Sequence, residues 1–120
     1  MIQKHVFSFR NALAGLRWIY RSERNFKVHI LLSCLAILAG LFFRVSRIEF
    51  LVILILIGMG LAIETVNTAI EEAIDAIHKD WSEEIKVAKD VSAAAMLIFA
   101  LTALVIACVI FIPRILNLFS

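Results

Sequence analysis

Residues 91–112 read VSAAAMLIFALTALVIACVIFI and contain no charged side chain. As a helix rising 1.5 Å per residue, this run spans about 33 Å, close to the ~30 Å hydrocarbon core of a bilayer. Two further apolar runs lie at residues 28–43 and 48–63. Within lipid only helices or closed barrels satisfy the backbone, and continuous apolar runs without alternation of period two indicate helices. The sequence therefore predicts an all-α integral membrane protein with three transmembrane helices.

The composition of the whole chain supports a membrane location. Hydrophobic residues make up 62% of the 120 residues and charged residues 18%, against roughly 45–50% and about 25% in soluble domains. A domain of this size has too little interior to hide so much apolar surface, which argues against a freely soluble monomer, a disordered chain or a disulfide scaffold. Cys34 and Cys108 lie in predicted spans, where we expect them to be free packing residues.

The chain reads as one membrane domain covering residues 1–120, without a linker or an internal repeat. Basic residues beside an apolar stripe in the N-terminal segment predict an amphipathic helix on the membrane surface. Such a helix can instead pack on its neighbours or contact a phosphorylated ligand. Pro113 is expected to end the last helix. The predicted elements are a surface helix at 6–25 and transmembrane helices at 26–43, 48–77 and 90–112.

The distribution of Lys and Arg predicts the orientation of these helices. Six basic residues precede the first span and three lie between the second and third, against two between the first and second and one after the third. Because the cytoplasmic loops of membrane proteins are enriched in Lys and Arg, we expect a cytoplasmic N-terminus and a C-terminus outside.

A second informative stretch, ETVNTAIEEAID at residues 64–75, continues the second span without a helix-breaking residue. On a helix, Glu64, Glu71 and Asp75 fall within about 40° of one another, and Asn67 lies about 60° to one side. Carboxylates grouped at the end of a membrane helix are costly unless a metal ion, a Lys or Arg side chain or a shared proton lies among them. Alternatively, this face marks the point where the helix leaves the bilayer and becomes solvated.

Three more charged residues fall on the same side of the membrane, namely Glu23 before the first span and Lys89 and Asp90 at the start of the third. Lys89 and Asp90 also suit the simpler roles of interfacial anchor and helix cap. Mg²⁺ prefers carboxylate oxygens together with substrate phosphates, and a lysine suits the phosphates themselves. The set therefore indicates phosphoryl transfer, whereas Gly58 and Gly60 predict close helix packing rather than a phosphate-binding loop.

Three motifs carry a resemblance to a known family. The stretch 64–75, the sequence AKDVSAAA at 88–95 and the sequence ERNF at 23–26 together resemble the prokaryotic diacylglycerol kinase family. The resemblance implies a small membrane lipid kinase with three spans. It also implies a homotrimer whose composite active sites form between subunits at the cytoplasmic membrane surface. The start ERNF and the ending FIPR at 111–114 look more like the Gram-positive branch, which is similar to undecaprenol kinases.

By match to the family's motifs, the resemblance implies roles for individual residues. Glu64 would be the general base that takes the proton of the lipid hydroxyl, Glu23 and Glu71 would hold the divalent metal, and Asp75 would support the polar cluster. The residues implied in ATP binding are Asn11, Glu23, Asn67, Glu71, Asp80, Trp81, Ser82, Lys89 and Asp90. Those implied in lipid binding are Arg17, Phe26, Glu64 and Ala93.

The sequence departs from the family pattern at three of these positions. Ser82 stands where the family usually has a histidine, and Asn11 and Ala93 stand where the Gram-negative branch has tyrosine and serine. The departures concern the nucleotide contact and the identity of the lipid rather than the carboxylate motif.

Together with the polar set, the resemblance thus implies an enzyme of the bacterial inner (cell) membrane, an ATP- and Mg²⁺-dependent lipid kinase. It would transfer the γ-phosphoryl group of ATP to the hydroxyl of diacylglycerol or undecaprenol at the cytoplasmic membrane interface. The predicted partners are the lipid, ATP and further copies of the chain, with no nucleic acid.

Two alternatives belong to other classes of function. One is a small oligomeric proton- or cation-coupled transporter that uses Glu64, although a transporter carboxylate usually lies near the midplane rather than at one end of a span. The other is a structural membrane subunit, which would leave the carboxylate face unexplained.

Overall fold

The computed structural model describes residues 2–120, with side chains described for residues 4–6 and 8–120. Over this range all regular secondary structure is α-helical, as the sequence predicts. The four helices in chain order are α1 (Ile2–Ser22), α2 (Arg24–Phe42), α3 (Arg47–Ile77) and α4 (Glu83–Leu118).

Three of these helices, α2, α3 and α4, are long and apolar enough to cross a membrane, with 19, 31 and 36 residues. At 1.5 Å per residue each reaches about 28 Å or more, near the ~30 Å thickness of the hydrocarbon core. Because α3 and α4 are longer than a bilayer core requires, part of each extends beyond it as continuous helix. The prediction of an N-terminal helix followed by three apolar membrane helices is therefore confirmed.

Local backbone and side-chain chemistry sets two helix boundaries differently from the sequence prediction. The backbone at Glu23 is extended (φ −110°, ψ 116°), so the helix predicted at 6–25 ends before this residue and α2 starts directly after it. The Ser82 hydroxyl accepts a hydrogen bond from the Ile85 amide at 3.2 Å. This N-cap satisfies a free amide and starts α4 ahead of the predicted span at 90–112.

The turn between α2 and α3 is tight. Arg44 adopts the left-handed backbone conformation with φ 50°, which side-chain-bearing residues adopt infrequently. The amide of Val45 donates to the carbonyl of Gly40 at 3.1 Å, as in a Schellman motif. A capping box then begins α3, because the Ser46 hydroxyl accepts from the Glu49 amide while the Glu49 carboxylate accepts from the Ser46 amide. Together these bonds fix α2 and α3 as a helical hairpin.

The expectation that Pro113 ends the last helix is wrong, because α4 continues through it to Leu118. A proline inside a helix removes one backbone hydrogen bond. The next residue makes other bonds at this point, since the Arg114 guanidinium donates to the Ile110 carbonyl at 2.7 Å and to both carboxylate oxygens of Glu49 at 2.8 and 2.9 Å. The end of α4 is thus tied to the start of α3.

α3 is the central helix, since it contacts both α2 and α4, while α1 contacts α2. The buried residues of α3 are Ile53, Gly60, Glu64 and Thr68, and they fall within about 80° around the helix axis. This inward face approaches α4 closely at Gly60, where a Cβ would lie 2.6 Å from the Phe99 ring. Most large apolar side chains of the described residues point outward and are exposed, as suits a lipid environment.

Candidate active site

The inward face of α3 changes from apolar to acidic at Glu64. This side chain is only 4% exposed and is the one buried charge among the described residues. Glu71 is half-buried and Asp75 is exposed further along the same face. The alternative that this face is simply solvated where the helix leaves the bilayer is therefore wrong for Glu64, which points into the helix packing.

Two other carboxylates lie in the neighbourhood of Glu64. Glu23 and Glu71 lie close enough for their charges to act on it, with Glu23 supplied by the break between α1 and α2 and Glu71 by the next turns of α3. The imidazole of His29 completes the group, because its Nε2 atom lies 3.7 Å from Oε2 of Glu64. Sequence reasoning missed His29 because this residue lies inside an apolar run and belongs to no recognised motif.

Asn67 links α3 to α4 beside these carboxylates. Its Oδ1 atom accepts a hydrogen bond from the Ser92 hydroxyl at 2.6 Å, and its Nδ2 atom donates to Oε1 of Glu71 at 3.4 Å. The side-chain amide is thereby fixed in one orientation. Sequence reasoning missed Ser92 as well, although its position three residues after Lys89 places both on neighbouring parts of one helix face.

Two lysines at the start of α4 form ion pairs with nearby acids. Lys89 Nζ donates to Oδ1 of Asp75 at 2.6 Å, and Lys86 Nζ donates to Oδ2 of Asp90 at 2.8 Å. All four side chains are more than one third exposed, so each pair contributes little to stability. The Lys89 pair nevertheless joins α4 to the acidic face of α3, whereas Asp90 turns toward its own helix.

A cleft of about 340 Å³ opens where α3 ends and α4 begins. Its walls bring together three acids, three lysines and the connecting loop, and two of the lysines are paired with acids of the same cleft. The lining residues are Asp75, His78, Lys79, Asp80, Trp81, Ile85, Lys86, Lys89 and Asp90. Asp80, Trp81, Lys89 and Asp90 of the predicted ATP-binding set therefore share one cleft, while the Ser82 hydroxyl caps α4 beside it.

Four other predicted site residues do not line this cleft. Asn11 and Arg17 are exposed on α1, and Ala93 is exposed on α4. Phe26 is buried, so it contributes to helix packing within a single chain. Among the side chains that the structure describes, neither Asn11 nor Arg17 forms a hydrogen bond or an ion pair.

Comparisons with known proteins place this arrangement in a family. The sequence model described as "Prokaryotic diacylglycerol kinase" matches residues 10–111. The chain is 36% identical over 107 residues to the undecaprenol kinase of Bacillus subtilis, covering 89% of this chain and 87% of that protein. It is 30% identical over 114 residues to the diacylglycerol kinase of Synechocystis sp., covering 94% of this chain and 65% of that protein.

A third relative, the diacylglycerol kinase of Haemophilus influenzae, is 27% identical over 93 residues, covering 78% of this chain and 79% of that protein. The family match includes α2, α3 and most of α4, as well as Glu64 and the carboxylates near it. This chain therefore belongs to the prokaryotic diacylglycerol kinase family of membrane lipid kinases.

Proposed function

We propose that the protein transfers the γ-phosphoryl group of ATP to the hydroxyl of a membrane lipid alcohol, with Glu64 as the general base. The position of Glu64 carries the proposal, because this buried carboxylate lies where the inward face of α3 changes from apolar to polar. A lipid alcohol likewise carries its hydroxyl at the boundary between hydrocarbon and water. The substrate hydroxyl and the carboxylate therefore reach the same depth, and membership of a kinase family implies ATP as the donor.

In the proposed reaction, a carboxylate oxygen of Glu64 accepts the hydroxyl proton while the hydroxyl oxygen bonds to the γ-phosphorus. The bond from the γ-phosphorus to the bridging oxygen breaks, and ADP leaves. Such reactions depend mostly on positioning and on neutralising charge. A base held inside the helix packing favours the lipid hydroxyl over water as the acceptor.

Glu23 and Glu71 are the proposed ligands of a Mg²⁺ ion that would neutralise phosphate charge. No group of three His, Cys, Asp or Glu side chains in the described part of the chain is arranged to hold a metal ion. Mg²⁺ does not need such a group, because it commonly takes one or two carboxylates and fills its remaining positions with phosphates and water. The oxygen donors of Glu23 and Glu71, both near Glu64, fit this requirement.

The nucleotide is proposed to occupy the cleft between the end of α3 and the start of α4. Lys89 would contact the phosphates, since its ammonium group lies on the cleft wall. Asn67, fixed by Ser92, would position the γ-phosphate. Asp90 and residues 80–82 would lie on the side of the nucleoside, and Asn11 would reach the nucleotide from α1.

Undecaprenol is the lipid alcohol that we favour. In support, the identity to an undecaprenol kinase is 36%, against 30% and 27% to two diacylglycerol kinases. Arg17, Phe26 and Ala93 are the proposed contacts to the lipid. We also propose a homotrimer, in which neighbouring copies complete each site, and an orientation with the cleft and the N-terminus in the cytoplasm.

A phosphotransfer assay on the purified protein tests this function. Protein in detergent–lipid micelles receives radiolabelled ATP with undecaprenol and diacylglycerol offered in parallel, and we expect the label in undecaprenol. Glu64→Gln removes the base but keeps the side-chain shape, so turnover should fall by about 10²–10⁴-fold. The control is Glu72→Gln, which alters an exposed carboxylate of the same helix and should leave turnover unchanged.

The role of Glu64 and the identity of the lipid can be contradicted separately. Turnover near the original value in a folded Glu64→Gln protein would contradict the base assignment. Labelling of diacylglycerol alone would contradict undecaprenol as the substrate while leaving the base assignment in place.

A further inference from the structure

His29 has no part in the proposed reaction, yet it is the residue that faces the proposed base. Its Nε2 atom lies 3.7 Å from Oε2 of Glu64, and the two side chains are 22% and 5% exposed. Among the described residues, no other Lys, Arg or His nitrogen lies within 4.0 Å of the Glu64 carboxylate. A buried carboxylate requires a polar partner, and His29 is the partner that the fold provides.

The packing of α2 fixes where His29 points. Phe26, His29, Ser33 and Gly40 fall within about 60° on one face of the helix. Phe26 and Gly40 are buried, and Gly40 approaches Ile53 of α3. This face of α2 therefore lies against α3 near Gly40, and the contact of His29 with Glu64 brings the same face close to α3 again further along the helix.

The distance between His29 and Glu64 indicates how the two side chains can interact. At 3.7 Å the two atoms are too far apart for a direct hydrogen bond. A small rotation of either side chain would bring them within hydrogen-bonding distance. The nearest atoms of the two side chains are Nε2 of His29 and Oε2 of Glu64. With an imidazole N–H directed at Oε2, the other carboxylate oxygen would be free to accept a proton from a substrate.

The same histidine borders an apolar groove of about 360 Å³ between α2, α3 and α4. Gly60 and Phe99 lie on its walls, and Gly60 precedes Glu64 by one helical turn. His29 thus lies both at the edge of the hydrocarbon-lined groove and against the carboxylate. A polar group placed there can orient Glu64 toward a hydroxyl that arrives from the apolar side.

We infer that His29 is a positioning residue that holds the Glu64 carboxylate in the orientation needed to accept the proton of the lipid hydroxyl. This inference rests on the proposed role of Glu64 as the base. His29 does not contact the phosphoryl group in this role, and it acts only through the carboxylate.

Kinetics of His29→Leu and His29→Gln test the inference. Leucine removes the N–H group, and the resulting misplacement of the base should lower kcat by about 10- to 100-fold. KM for ATP should stay unchanged, because His29 does not line the nucleotide cleft and pairs with none of the proposed nucleotide contacts. Glutamine keeps a neutral N–H donor and should restore most of kcat. The matched control is His5→Leu, which alters an exposed histidine on α1 and should behave like the original protein.

Coupling to Glu64 separates positioning from a purely structural effect. In a Glu64→Asp protein the carboxylate is withdrawn from His29, so adding His29→Leu should lower kcat much less than it does in the original protein. Three results would each overturn the inference. The first is that the fold losses in kcat from the two substitutions simply multiply in the double variant, and the second is an equal loss of kcat in the Leu and Gln variants. The third is full activity of a folded His29→Leu protein. Full activity of Glu64→Gln would instead contradict the proposed base, whatever His29 does.

Discussion

At the scale of single residues, Gly60 and Glu64 show how one face of α3 serves both packing and chemistry. Gly60 lets the Phe99 ring of α4 lie against the helix backbone, and Glu64 follows one turn later in the same packed interface. Gly58, two residues away on the same helix, has nothing within 4 Å of where a Cβ would stand. The close approach of α4 therefore depends on one glycine of the pair.

Gly60→Ala should destabilise the protein by about 1–3 kcal/mol, because the added methyl group would lie 2.6 Å from the Phe99 ring and force it to move. Gly58→Ala is the matched control and should be neutral or slightly stabilising, since alanine favours a helix over glycine. Thermal unfolding in detergent measures both. Equal losses of stability in the two variants would contradict the packing of α3 on α4 described above.

At the scale of elements, helix ends carry much of the specificity of this fold. Extended backbone at Glu23 separates α1 from α2 and brings a carboxylate to the site. At the other end of the site, the Ser82 cap begins α4 early, so that Lys86 and Lys89 lie on an ordered helix beside the cleft. The caps therefore decide which charged residues are held by helices and which lie in the loop.

Ser82→Ala should lower the free energy of unfolding by about 1 kcal/mol through loss of the N-cap, whereas Ser82→Gly should lower it by only a few tenths of about 1 kcal/mol. Thermal unfolding distinguishes the two variants, and equal stability of Ala and Gly proteins would argue against the cap. KM for ATP, measured on the same proteins, tests the nucleotide contact separately. If Ser82 binds the nucleotide as proposed, KM rises in both variants.

At the scale of the whole molecule, the protein is a membrane lipid kinase built around a central helix. Its outward apolar side chains suit lipid, and nine of its ten acidic residues lie toward the end of the helices that carries Glu64, Glu49 being the exception. The alternative functions of a transporter and of a structural subunit are not supported, because the family match covers most of the chain and the relatives are lipid kinases.

Cysteine labelling in intact cells tests the proposed orientation. In a protein with Cys34 and Cys108 replaced by alanine, Asn117→Cys should react with a membrane-impermeant maleimide. Lys79→Cys should react only after the membrane is permeabilised, because the excess of basic residues places its loop in the cytoplasm. The reverse pattern would invert the proposed orientation and place the cleft outside the cell.

Much of the site could be predicted from the order of residues along one helix. Glu64, Glu71 and Asp75 share a face because helical periodicity alone relates them, and the structure keeps them on that face. Contacts between helices could not be predicted in this way. The Ser92 hydroxyl on Asn67 and the imidazole of His29 near Glu64 depend on how each helix is rotated against its neighbour, which periodicity leaves open.

By itself, the sequence determined that this chain has three apolar helices, a carboxylate face at one end of the second, and the motifs of a lipid kinase family. Length, hydropathy and local spacing suffice for these properties. Only the tertiary structure decided that Glu64 is buried, that His29 is its neighbour and that α4 continues through Pro113. These features arise from contacts between distant residues, such as the Arg114 pair with Glu49 that holds the end of α4.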